Sequence, residues 1–275
     1  MGTNYAKRAL EILREEGPIE LSKRSTRFLL NDPLRLVDPQ YHRRFKFHTW
    51  KNDLQNRIKY DAPPAPYENI IINPNKIKYR LNRTNGLKHP HIYGLGQIKS
   101  GDWDRPTHLQ SVEETTKVKG MIQRFEKGKP WSKTVYHKHY SEKYRENKKY
   151  EKKGYDSLEE YLQESFNGYD ELCQNIKAHG YTEGHDGSRG RPDSSHPVRD
   201  KLEVLVAVAR NGDMFLWDGH HRFGIARSLS IEIPAQVAYR HKQWQELRDE
   251  IHNNGLPEGR ENLRDHPDLQ DILSL

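Results

Sequence analysis

The sequence predicts an α/β protein of the α+β kind, a small mixed sheet with helices, and three observations carry that prediction. Residues 202–209, Leu-Glu-Val-Leu-Val-Ala-Val-Ala, are apolar on both faces, as in an interior strand. Asn211-Gly212 separates that run from Met214-Phe215-Leu216-Trp217, and Asn-Gly between two such runs is the strongest short-range hairpin signal. After a turn at 218–222, Phe223, Ile225, Ala226 and Leu229 recur at helical spacing, and Ile233-Pro234 then restarts an extended segment. The order is therefore strand, hairpin, strand, turn, helix, strand.

The rest of the chain divides around that centre. In residues 1–66, Tyr5, Ala9, Ile12 and Leu13 form one helical face ending near Gly17-Pro18, and Leu21, Phe28 and Leu29 mark a second helix. Residues 31–66 mix prolines with the basic aromatic stretch 41–48 and a short helix at 50–60, which predicts a linker or an arm packed on the main domain. Its competing use is contact with nucleic acid or an anionic membrane surface. The main domain spans 67–240, with residues 81–108 rich in loops and a helical insertion at about 109–165. Within the insertion, Tyr136, Tyr140 and Tyr144 are spaced by four among lysines and glutamates. That spacing favours a helix with an aromatic inner stripe over a single-stranded nucleic-acid platform. Residues 241–275 form a helical tail in which Trp244, Leu247 and Ile251 share a face that stops at Gly255.

Composition bounds the function without naming it. The chain has 275 residues, only 33% of them hydrophobic, so the core is confined to part of its length. A single cysteine, Cys173, excludes an internal disulfide and fits a reducing compartment. Neither a signal-peptide stretch nor a run long enough to span a bilayer is present, so a cytoplasmic protein with no transmembrane segment is expected. The net charge of +7 permits phosphate-bearing partners but is spread over a chain that is 31% charged.

The chemistry concentrates in Trp217-Asp218-Gly219-His220-His221-Arg222. At a helix N-terminus the free backbone N–H groups and the positive end of the dipole favour an anion. Gly219 lets a phosphate approach the backbone, and His220, His221 and Arg222 add donors. Asp218 can cap the helix, and Arg222 can instead pair with a carboxylate. Adjacent side chains diverge, so His220 and His221 do not make a metal pair, and no metal-binding side-chain cluster is expected. No GxGxxG spacing marks a dinucleotide fold.

The stretch 216–227, Leu-Trp-Asp-Gly-His-His-Arg-Phe-Gly-Ile-Ala-Arg, followed by Ile-Pro-Ala-Gln-Val, resembles the phosphate-binding segment of the ParB/sulfiredoxin superfamily. Residues 68–77 are similar to that domain's opening strand and Pro-containing turn, and residues 169–181 to the Gly-terminated helix before its central strands. His220 stands where sulfiredoxins carry their cysteine, which argues against sulfinic acid reduction. A ParB-type helix-turn-helix domain is not expected in the short stretch after Arg240. The Asp-Gly-His-His-Arg form is most similar to the free-serine kinase branch. That resemblance implies a nucleotide-binding phosphotransferase that uses Mg²⁺ with ATP or ADP, with CTP as the alternative, on a small hydroxyl acceptor such as serine or a sugar. A nucleotide-switched DNA- or RNA-binding module and a ParB-like nuclease are the competing readings. In the kinase reading Gly219, His220, His221 and Arg222 cradle the phosphates, and Asp218 faces the metal or the acceptor hydroxyl. Asp102 or Asp104, flanking Trp103, supplies the catalytic base or positions Mg²⁺, and Arg189 and Arg191 form a lid. The competing structural expectation buries Trp103 and makes Asp104 a turn cap.

Overall fold

A computed structural model describes residues 14, 18, 42–82, 86–147, 150–151, 155–181 and 202–273. The two N-terminal helices expected between Tyr5 and Leu29, and the lid residues Arg189 and Arg191, lie outside the described residues. In chain order the elements are α1 (His42–Lys59), β1 (Asn69–Ile72), β2 (Tyr79–Leu81), α2 (Pro90–Tyr93), β3 (Gln97–Lys99), β4 (Leu109–Ser111), α3 (Thr116–Met121), α4 (Val135–Asn147), α5 (Leu158–His179), β5 (Val204–Val208), β6 (Met214–Asp218), α6 (His220–Leu229), β7 (Ile233–His241), α7 (Lys242–Asn254) and α8 (Gln270–Leu273).

The uninterrupted apolar run becomes β5, buried at every position because β7 flanks it on one side and β6 on the other. Its alternate residues serve two cores: Val204, Val206 and Val208 pack with Phe223 of α6 and Trp244 of α7, and Leu205 and Ala207 pack with Phe45 of α1 and Trp103. The predicted hairpin joins β5 to β6, with Ala209 N–H donating to Asp213 O at 2.8 Å. Gly212 sits there at φ 89°, and a Cβ would lie 2.6 Å from the Trp244 ring, so both backbone and packing require glycine. The sheet is open and mixed, in the order β1-β7-β5-β6-β2-β4, with β3 paired to β7. Strand β7 is long enough to hold β1 against Ile233–Gln236 and β3 against Tyr239–His241 along one edge.

Two expectations about boundaries change. The helix expected at 50–60 begins at His42, because its inner face carries Thr49, Asn52 and Asn56, which bond to the main domain instead of burying hydrocarbon. Hydropathy periodicity is blind to such a face. Helix α5 runs from Leu158 to His179 without a break, so it crosses the expected end of the insertion at 165. Ser157 caps its start by accepting from Glu160 N–H at 3.1 Å, and Gly180 at φ 74° ends it. The inner stripe of the insertion is as the spacing indicates: Tyr136 and Tyr144 are buried against α5. The tail residues Trp244, Leu247, Ile251 and Leu269 enter the same core as β5.

Candidate functional site

Strands β2 and β6 run parallel, with Arg80 opposite Leu216, so their carboxyl ends open on one edge of the sheet. Beyond β6 comes the Gly219 turn, and beyond β2 the chain reaches His89 and α2. Loops at the carboxyl ends of parallel strands are where α/β sheets place ligands. Gly219 adopts φ 83° as the N-cap of α6, and a Cβ there would meet the backbone of Val204 at 3.0 Å. Only glycine turns the chain this tightly over β5.

The edge opens into a cavity of about 560 Å³. Asp218 and His220 lie in its wall with His89 and His91, and Arg80, Lys117, His139 and Lys143 add a strongly basic lining. Asp218 stands between imidazoles: Oδ2 is 3.4 Å from His91 Nε2, and Oδ1 is 3.5 Å from His220 Nδ1. Oδ1 also accepts the Gly219 N–H at 2.8 Å. Burial pulls the Asp218 carboxyl up, but His220, His91 and the Gly219 N–H outweigh it and hold the group well below the usual carboxylate range. Burial lowers His220, with Lys117 and Arg80 adding repulsion against the attraction of Asp218. The His220 side chain is only 10% exposed. Its Nδ1 contact to Asp218 is too long or poorly aimed to count as a hydrogen bond, and both ring nitrogens are buried without a hydrogen-bond partner. A buried donor-acceptor group left so costs about 1–3 kcal/mol, which a ligand in the cavity would recover.

The expected phosphate cradle is only partly assembled. His221 and Arg222 do not line the cavity. His221 turns into the insertion, its Nε2 2.8 Å from Tyr136 Oη and 3.2 Å from Tyr169 Oη, with its ring stacked on Tyr169. Arg222 is spent on the fold: Nη1 donates to Glu203 Oε2 at 3.2 Å and to Tyr181 Oη at 3.3 Å, and Nη2 donates to the Leu202 carbonyl at 2.6 Å. Successive positions on a helix point about 100° apart, so one turn cannot aim 220, 221 and 222 at one ligand.

Asp102 and Asp104 are not brought to the site. Both bind Arg210 at the tip of the β5–β6 hairpin, Asp104 Oδ1 at 2.6 Å and Asp102 Oδ1 at 2.9 Å from Nη2. Asp218 ends β6 at its other end, four residues on from Met214, or roughly 13 Å at the rise of a strand. Burial raises the Asp104 carboxyl, but the Arg210 hydrogen bonds outweigh it. Trp103 is 3% exposed in the core, as the structural expectation held, but Asp104 is an ion-pair partner and not a turn cap.

His89 and His91 were missed. Among the described residues His89, His91 and Asp218 place one ligand atom each within 4.8 Å of one another, a set that could hold a metal ion and that the sequence reading did not include. The signal was His89-Pro90-His91, two histidines two apart on a Pro-stiffened turn. The partner carboxylate, 127 positions on, is visible only in the fold. The set fits Mg²⁺ poorly, because that ion prefers six oxygens in an octahedron and the neighbours of Asp218 are nitrogens. No family model, curated protein or solved structure matches the chain. No helix among the described residues is long and apolar enough to cross a membrane.

Proposed function

We propose that this chain is a phosphotransferase of the ParB/sulfiredoxin superfamily that moves a phosphoryl group from a nucleotide, ATP or ADP, to a small hydroxyl compound in the cavity beside Asp218. The observation that carries the reading is the pair Asp218–His220, half-buried in the wall of a basic, nucleotide-sized cavity with the His220 Nε2 unpartnered. Asp218 faces the ring at Nδ1 and favours its protonated form, and Nε2 takes the proton of the acceptor hydroxyl as that oxygen bonds to the terminal phosphorus and the bridging P–O bond breaks, releasing ADP from ATP or AMP from ADP. Arg80, Lys117 and Lys143 offer positive charge to the phosphate oxygens, replacing Arg222 in that role. The Asp-Gly-His-His-Arg segment and the order of strands and helices around it support the superfamily assignment. Mg²⁺ would arrive with the nucleotide phosphates, and none of these steps runs through it.

The test is calorimetric titration of ADP, ATP and CTP into the wild type and a His220→Ala variant, followed by a screen of serine and sugars as acceptors. Adenine-nucleotide binding lost in the variant, together with acceptor phosphorylation, supports the transferase. A preference for CTP together with salt-sensitive DNA binding favours the nucleotide-switched module instead. No nucleotide binding at all overturns both readings.

A further inference from the structure

The residues around Asp218 make a better site for a soft or borderline cation than for any group so far assigned to the cavity. We propose that His89, His91 and Asp218 bind a divalent transition-metal ion, of the Zn²⁺ or Co²⁺ class, in the wall of the cavity. Two imidazoles and one carboxylate form a common donor set of catalytic sites for such ions, which leave a position open for water or substrate. The three donor atoms lie within 4.8 Å of one another. Ligand atoms around a tetrahedral ion stand about 3.3 Å apart, given bonds of about 2.0–2.1 Å. A rotation of the side chains by about an ångström closes the set. His89 is only partly buried, so the side facing solvent is where an ion enters.

The surroundings are arranged as an outer shell. The two oxygens of Asp218 are divided in their duties: Oδ1 is fixed by the Gly219 N–H and faces His220, and Oδ2 faces His91 and the cluster. Such a second contact aims a ligating carboxylate. The histidine-bearing turn is itself buttressed by α1. Thr49 Oγ1 accepts the Leu95 N–H at 3.2 Å, and Asn52 donates to the carbonyls of Tyr93 at 3.1 Å and Leu95 at 2.9 Å. Asn56 donates to the Gly96 carbonyl at 2.7 Å. Four hydrogen bonds tie α1 to residues 93–96 at the C-terminal end of this four-residue turn, in which His91 is buried. The N-terminal arm thereby acquires a role, as the backing of the metal-binding turn.

The site shares Asp218 and the cavity with the proposed transferase, yet it makes a separate claim, since the ion binds whether or not a nucleotide does. The experiment uses the full chain after removal of metal with a chelator. Zn²⁺, Mn²⁺, Co²⁺ and Mg²⁺ are titrated by calorimetry, and Co²⁺ also by its visible absorption, which reports nitrogen ligands in a low-coordinate site. The wild type binds one Zn²⁺ or Co²⁺ per chain, and His91→Ala and Asp218→Asn each weaken it by about 100-fold or more, beyond what loss of an outer contact does. His89→Ala, at the partly exposed position, gives the same loss in a protein whose melting curve without metal is unchanged, which covers the case in which His91→Ala fails to fold. His137→Ala, outside the cavity lining, leaves binding intact. Absence of binding, wild-type affinity in the His89 and His91 variants, or displacement of Zn²⁺ by equimolar Mg²⁺ overturns the site. Nucleotide titrations in chelator separate the two proposals: nucleotide binding without a metal site leaves the transferase standing alone, and a metal site without nucleotide binding leaves the ion site standing alone.

Discussion

Asp218 and Asp268 are both enclosed carboxylates, and they differ in what surrounds them. Asp268 is fully buried and saturated: Arg240 Nε and Trp244 Nε1 each donate to Oδ2 at 2.8 Å, and Arg248 closes from 3.8 Å. It locks the tail onto β7 and α7, and although it borders a cavity of about 390 Å³ its oxygens are taken up by Arg240, Trp244 and Arg248. Asp218 is ringed by imidazoles, which unlike arginine can be neutral, donate, accept or ligate, and it borders the basic cavity. The difference teaches that burial of an acid does not mark chemistry. What sets Asp218 apart is the kind of neighbour, imidazoles on a basic cavity in place of fixed guanidinium cations.

The largest effect that would separate the two acids is on stability. Asp268→Ala leaves Arg240 and Arg248 buried without their shared partner, and breaking such a network costs about 3–5 kcal/mol, or roughly 10 °C in a thermal melt. Asp218→Asn keeps the fold within about 1 kcal/mol and lowers phosphoryl transfer by about 100-fold or more. A large loss of melting temperature in Asp218→Asn, with turnover per folded molecule unchanged, would erase the contrast. Arg222→Ala behaves as Asp268→Ala does: Glu203, 3% exposed, loses its cation, and the melt falls by the equivalent of about 3 kcal/mol. Calorimetry on the folded fraction then shows nucleotide affinity nearly unchanged, the opposite of what a phosphate clamp gives.

Acid sharpens the comparison further. Burial raises the Asp268 carboxyl, but Arg240 and Arg248 outweigh it and lower its pKa from 3.8 to about 2. A folded pKa below the unfolded one means that the stabilisation is complete above pH 4 and is lost as pH falls toward 2, a change of roughly 2 kcal/mol by linkage. Melts between pH 2 and 5 show this slope in the wild type, and a correspondingly shallower one in Asp268→Ala. The smallest effect belongs to Asp102→Asn, an exposed partner of Arg210 at the far end of the hairpin. Its melting temperature and its transfer rate both stay at the wild-type level, whereas a lost rate would return Asp102 to the catalytic machinery.

How much of this was legible depended on whether the signal was local. The hairpin at Asn211-Gly212, the helix carrying Phe223, Ile225 and Ala226, and the stop of α7 at Gly255 were all readable, because turn chemistry and apolar period act within a few residues. Helix α1 was half-hidden because, apart from Phe45, inward residues such as Asn52 and Asn56 are polar and bond to backbone. Asp218 and Gly219 were legible as a site from the crowding of donors and the need for a left-handed residue, but their neighbours were not.

Sequence by itself therefore determined the central hairpin, the helix after it and the tight turn at Gly219 with its donor-rich neighbours, since each follows from short-range sterics and hydrogen bonding. Tertiary structure alone decided which side chains work there. The parallel pairing of β2 with β6 brings His89 and His91, 129 and 127 positions away, to Asp218, and the rotation of α6 sends His221 into the insertion and Arg222 to Glu203. Long-range pairing sets those partners, and it leaves no periodic trace in the chain because a contact between distant segments constrains neither one's local pattern.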